Sequence, residues 1–314
     1  MHWASVKEAG ALRGMRIMVW IYRHFGRAAF NLVLYPVMTY FFLRHGAARR
    51  ASLDYLARVR RRYPGRLPRG PEWLVSYRHF LEFGHALLEK YMAWTEAPPM
   101  VSMHPAEQDE LFAVAESGVG CLLIGSHFGN LEYSRAIARR HSNLTINVLL
   151  HDKHTDKYST LMTHAEPESR MNLLQVTEFD LPVTLGLRAK IQQGEWVVIA
   201  GDRTPVTGLA NTTSATFLGG AARLPIGPYV LAHVLECPVY LLHCYRADSV
   251  HHLGFEMLSH RVRLPRDERA EKLQELAQQF ASALEAQVVN APLQWFNFYD
   301  FWEEQADSPV RSQS

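Results

Sequence analysis

From residue 71 onward, short apolar runs alternate with longer stretches in which apolar positions recur every three or four residues. Val119–Gly125 (VGCLLIG), Leu144–Leu150 (LTINVLL), Leu173–Val176, Trp196–Ala200 (WVVIA) and Val239–Cys244 have the length and composition of buried strands. Residues 72–95 carry Trp73, Tyr77, Phe80, Leu81, Leu87, Leu88 and Tyr91 at helical spacings, which predicts a helix. Residues 131–140, 155–165, 181–193, 225–235 and 266–288 read as further helices. Strands alternating with helices predict an α/β fold with a largely parallel central sheet flanked by helices. No internal repeat or flexible linker interrupts it. One α/β domain is therefore expected over 71–314, behind a separate region 1–70.

That first region has a different pattern. Ile17 to Leu43 is apolar and aromatic, broken by Arg23, His24, Arg27 and Asn31. Its charge-free part, Ala28–Leu43, is sixteen residues, whereas a spanning helix needs roughly 20. Pro36 is expected to kink the helix. Charge sharpens the picture. The net charge of +2 divides into +12 over residues 1–70 and −10 over the rest. A buried soluble helix is one reading of this segment. The other, which Tyr22, Tyr35, Tyr40 and the flanking arginines favour, is a membrane-anchoring region lying in or tilted through an anionic leaflet. Arg44, Arg49, Arg50, Arg58 and Arg60-Arg61-Arg62 would then face lipid headgroups, each contributing about 1 kcal/mol. No small-residue cleavage site follows a short apolar run, so a removed signal peptide is not expected.

With 48% hydrophobic and 20% charged residues in 314, the chain has ample material for a core, and global disorder is excluded. Three cysteines (Cys121, Cys237, Cys244) form no CxxC pair, which excludes a disulfide scaffold and a four-cysteine zinc site. His151 and His154 with Asp152 and Asp156 fit no strong zinc pattern and read as a polar loop. Neither GxxxxGK[ST] nor GxGxxG occurs, so nucleotide binding has no support. Basic residues sit beside apolar ones instead of along a polar face, which disfavours nucleic acid.

In open α/β sheets ligands bind off the carboxyl ends of the strands. Gly125-Ser126-His127-Phe128-Gly129-Asn130-Leu131-Glu132 leaves such an end. Gly129 permits a tight turn, and Asn130 can cap a helix beginning near Leu131. Glu132, one turn on, is expected to fold back on His127, fix its tautomer and leave the other ring nitrogen free as a base. A second strand ends at Gly201-Asp202-Arg203-Thr204-Pro205. Here Asp202 and Arg203 on their own read as a polar turn with a local ion pair.

At these residues the chain resembles a known family. HFGNLE is similar to the His-x4-Asp/Glu motif of the lysophospholipid acyltransferase superfamily, and more closely to the late acyltransferases of lipid A assembly. GDRTPV (Gly201–Val206), FLGGAARLPIGPYVLAHVLECPVYLL (Phe217–Leu242) and PLQWFNFYDFW (Pro292–Trp302) resemble later blocks of that family in order and spacing. GDRTPV is most similar to a branch associated with aryl-polyene and polyketide pigments. There are departures. The acid is Glu132, usual for the lipid A branch alone, and no Phe-Pro-Glu-Gly-Thr block is present, which puts a glycerol-3-phosphate site in doubt.

The resemblance implies a membrane-associated O-acyltransferase on the cytoplasmic face of a bacterial inner membrane. Its donor would be an acyl thioester, on acyl carrier protein or CoA, and its acceptor a hydroxyl of a lipid, glycolipid or pigment-linked molecule. No cofactor or metal is implied. His127 and Glu132 would form the catalytic dyad. Asp202, Arg203 and the backbone amides near Gly219 and Gly220 would bind substrate or the developing oxyanion. A lysophospholipid acyltransferase, or a non-catalytic membrane adaptor keeping the fold, are the alternatives at this stage.

Overall fold

A computed structural model of the chain describes residues 11–95, 101–134, 144–150, 171–175, 180–203 and 209–302. Helices α1 (Ala11–Arg44), α2 (Gly46–Arg62) and α3 (Glu72–Thr95) come first. Strand β1 (Val101–Ser102), helix α4 (Pro105–Glu116) and strands β2 (Leu122–Gly125), β3 (Ile146–Leu150) and β4 (Met171–Gln175) follow. Then come α5 (Leu181–Gln192), β5 (Trp196–Ala200) and the hairpin of β6 (Thr212–Phe217) and β7 (Gly220–Pro225). The chain continues through α6 (Gly227–Leu235), β8 (Val239–Ala247), β9 (Val250–Ser259) and α7 (Arg269–Val288).

Seven strands form one sheet in the order β1-β9-β8-β2-β5-β3-β4, and β6 and β7 form a separate ribbon. Every pairing in the large sheet is parallel except β8 with β9. The expected largely parallel α/β architecture is thus present, flanked by helices. Its central strands are continuous apolar runs because both faces are covered. Leu122, Ile124, Val197 and Ile199 enter one core, with α5, α6 and α7. Cys121, Leu123, Trp196 and Val198 enter the other, under α4 and the end of α3.

Several elements escaped the apolar pattern for physical reasons. α2 buries only Ala51, Ser52, Tyr55, Leu56 and Val59, a stripe interspersed with arginines. β9 breaks its apolar run with His251, His252 and Glu256, of which Glu256 is exposed while His251 is buried beside Glu89. The helix expected over 131–140 begins as a short 3-10 turn, Leu131–Ser134. Its remainder, the helix expected at 155–165 and the polar loop of His151 and His154 lie outside the described residues.

α1 packs Phe30, Leu34, Met38 and Phe42, each four residues from the last, onto Phe80 and Leu88 of α3. Gly84 permits this approach, since a Cβ there would lie 2.6 Å from Leu34 Cδ1. The non-helical break in α1 falls at Gly26 (φ 76°), while the helix runs on through Pro36. Pro36 was the expected kink; glycine yields first because the left-handed region carries no penalty for it. The opposite face of α1 is apolar and exposed, with Leu32 at 75% and Leu43 at 68%. Among the described residues, no helix is long and apolar enough to cross a membrane.

Candidate active site

Two adjacent strands build the site. β2 and β5 pair in parallel with Gly125 opposite Ala200, and Gly201 N donates to Gly125 O at 2.8 Å. Two residues beyond that register on each strand lie His127 and Asp202. Equal offset from a paired register brings them side by side. The Nδ1–H of His127 donates to Asp202 Oδ1 at 2.7 Å, and the backbone N–H of His127 donates to Asp202 Oδ2 at 2.8 Å.

The environments of the pair set their charges. Asp202 is wholly buried, whereas 31% of the His127 side chain is exposed. Burial alone would raise the Asp202 carboxyl, but the imidazole, the hydrogen bonds from His127 and the Arg203 cation outweigh it and hold the group below its ordinary range. Burial lowers the pKa of His127, and Arg203 and Lys90 push the same way against Asp202. The pair is therefore a carboxylate beside a neutral imidazole. An ionised acceptor on Nδ1 requires the proton there, which leaves Nε2 with its lone pair.

The loop carrying His127 is held from two sides. Gly129 (φ 63°) lies against β8, where a Cβ would collide with the Cys244 carbonyl, and Asn130 N donates to that carbonyl at 2.7 Å. On the other side the C-terminal segment runs antiparallel to the loop. Phe296 N donates to His127 O at 2.9 Å, and Gly129 N donates to Gln294 O at 2.8 Å. Trp295 Nε1 donates to Asp202 Oδ2 at 3.0 Å.

Glu132 does not take the expected place. Among the described residues it is Asp202 that bonds the imidazole at Nδ1. The reason is geometric. Asn130 Oδ1 accepts from Glu132 N at 3.1 Å and starts a tight 3-10 turn, and the register of β5 has already delivered a carboxylate to Nδ1. Glu132 lies within electrostatic reach of Lys90, on α3. Burial lowers the Lys90 pKa, Glu132 opposes this, and Arg203 adds to it. Arg203 also reaches Phe296 O through Nη2, at 3.5 Å. His127, Asp202, Arg203, Lys90 and Glu132 thus form one cluster of charge off the strand ends.

Gly219 and Gly220 sit at the β6–β7 turn. A Cβ on Gly220 would meet Arg58 and Trp302, and one on Gly219 would meet open space, so the turn faces α2 and the C-terminal segment. Another donor lies in the loop that carries His127. Asn130 is 3% exposed, and among the described residues its Nδ2 has no partner. Sequence reasoning passed over Asn130 as a donor, along with Lys90 and Trp295. Lys90 lies in an ordinary amphipathic helix, and Trp295 is remote in the chain from everything it touches.

The parallel α/β sheet thus carries a histidine–aspartate pair off two neighbouring strand ends, the place where open sheets of this kind bind ligands. The chain belongs to the bacterial lipid A biosynthesis acyltransferase family, whose model matches residues 71–304. Membership places it among acyltransferases whose acceptors are of the lipid type. No curated protein matches the chain.

Proposed function

We propose that this protein is an O-acyltransferase that moves an acyl group from a thioester to a hydroxyl of a lipid, glycolipid or pigment-linked acceptor. The donor is acyl carrier protein or CoA. The observation that carries the reading is the His127–Asp202 pair, a neutral imidazole held through Nδ1 by a buried carboxylate, which leaves the lone pair on Nε2. Nε2 takes the hydroxyl proton as the acceptor oxygen attacks the thioester carbonyl. Asp202 stabilises the imidazolium that forms. The tetrahedral intermediate then collapses, the C–S bond breaks, and the departing thiolate takes the proton from Nε2. No acyl-enzyme is needed.

The developing oxyanion needs donors in place beforehand. Asn130 Nδ2 supplies one beside His127, while Arg203 is suited to bidentate phosphate on the pantetheine arm or the acceptor. Glu132 and Lys90 balance each other's charge beside this anion site.

The reaction is read as taking place at the cytoplasmic face of a bacterial inner membrane. The +12 charge of residues 1–70 and the exposed apolar face of α1 (Trp20, Phe25, Leu32, Tyr40, Leu43) support an interfacial helix rather than a spanning one. Mass spectrometry of membrane lipids and pigments with and without the gene tests the function. One species should lose the mass of an acyl chain when the gene is absent. Unchanged profiles would contradict acyl transfer to a membrane acceptor.

A further inference from the structure

Trp295 has no part in that reaction scheme, yet it touches the pair at its buried end. Its indole N–H donates to Asp202 Oδ2, the same oxygen that accepts the backbone N–H of His127. The ring is fully buried, with the rings of Tyr55, Phe217 and Phe301 centred 5.0, 5.1 and 4.9 Å away. Its carbonyl is bonded to the Nε2 of His79 at 3.0 Å, and His79 Nδ1 is bonded to the hydroxyl of Ser52 on α2 at 3.0 Å. Indole, carbonyl and ring are each fixed, so the N–H cannot follow a carboxylate that turns.

The other contacts of Asp202 give this N–H its importance. Both other hydrogen bonds to the carboxylate come from His127, the residue that Asp202 must orient. Two groups joined only to each other can rock together. Tyr299 bonds the Asp202 backbone carbonyl, at 3.4 Å, and leaves the carboxylate free to rotate. Among the described residues, Trp295 alone ties the carboxylate to a different part of the chain.

We propose that Trp295 is a positioning residue for acyl transfer: its indole N–H fixes the rotation of the Asp202 carboxylate, and through it the aim of His127 Nε2 at the acceptor hydroxyl. This rests on the acyl-transfer reading above. A packing role would need the ring; a positioning role needs the nitrogen. Small errors of aim are costly in a step that depends on near-attack geometry.

The test uses the full chain as wild type, Trp295→Phe, which keeps an aromatic ring and removes the donor, and His127→Ala. Dodecanoyl-CoA is the donor probe, and transfer is followed with a membrane lipid extract as acceptor. In Trp295→Phe, kcat should fall roughly ten- to hundredfold, the range expected for a hydrogen bond to a charged group, with KM unchanged. The acid limb of the rate profile should also move to higher pH, because a carboxylate short of one donor holds a protonated imidazole more strongly. The charges facing His127 (Asp202, Arg203, Lys90, and Glu132 beside Lys90) all remain in the variant. Imidazole NMR, assigned by the resonance lost in His127→Ala, should show the same displacement without substrate. A folded Trp295→Phe whose His127 titration and acid limb are unmoved would overturn the proposal, whatever its rate. Full transfer by His127→Ala would instead overturn the acyl-transfer mechanism, while the NMR displacement would still report the hold on Asp202. If Trp295→Phe does not fold, benzothienylalanine at position 295, with sulfur in place of N–H, carries the same expected and overturning results.

Discussion

His127 and Asp202 meet through two hydrogen bonds, 2.7 Å from the ring and 2.8 Å from the backbone, although 75 residues separate them. The double contact fixes the imidazole relative to the main chain that carries it, so the free nitrogen has one direction. Three outcomes distinguish this arrangement from a pair formed between His127 and Glu132.

Asp202→Asn removes the carboxylate that stabilises the imidazolium. Acyl transfer should fall by about 10²–10⁴-fold. Because Asp202 raises the His127 pKa, its loss should move the acid limb of kcat/KM to lower pH. Glu132→Gln should move that limb far less, since it is Lys90 and not His127 that faces Glu132. Rate profiles of the two folded variants check this.

Arg203 lowers the His127 pKa. Arg203→Ala should therefore shift the acid limb to higher pH, while Arg203→Lys, which keeps the charge, should leave it nearer wild type. For binding the order changes. Lysine lacks the planar fork, so both variants should raise KM for the thioester or the acceptor with little change in kcat. A fall in kcat with unchanged KM for both substrates would assign Arg203 to the oxyanion instead of to phosphate.

Strand β2 and the histidine at its end were legible in the sequence because a strand buried on both faces is continuously apolar and stops at Gly125. The partner of His127 was not. Local spacing pointed to Glu132, but a parallel sheet joins loops by strand order and register, and neither is written in the residues near His127. Only once Gly125 is opposite Ala200 does Asp202 come to the imidazole. α3 was legible to the residue at both ends, since its apolar stripe covers most of its length. α2 was hidden because its buried stripe is interrupted by six arginines, which mask the apolar spacing.

His79 is buried and neutral, its pKa lowered by burial to about 4 despite the Trp295 carbonyl. In the unfolded chain it titrates near 6.5, so between these values the unfolded state binds a proton that the folded state does not. This contribution to stability is whole above about pH 6.5 and is lost as pH falls toward 4, amounting to about 3 kcal/mol. His243, also lowered to about 4 by burial, adds in the same direction. Thermal melts of wild type should fall across this window, and those of His79→Gln should fall less steeply.

The exposed face of α1 makes a separate prediction. Full-length protein should sediment with anionic vesicles, and Leu32→Asp with Leu43→Asp, both at exposed positions, should release it without unfolding. High salt should weaken binding incompletely, because apolar burial is not screened. Release by salt alone would reduce the attachment to charge.

The most direct measurement of the central claim is acyl transfer by folded, full-length His127→Ala from dodecanoyl-CoA to a membrane lipid extract, followed by mass spectrometry. Wild type should add one acyl chain to an acceptor hydroxyl, and the variant should do so about 10²–10⁴-fold more slowly, the share of a positioned base. Transfer at the wild-type rate would remove His127 and the carboxylate behind it from the reaction.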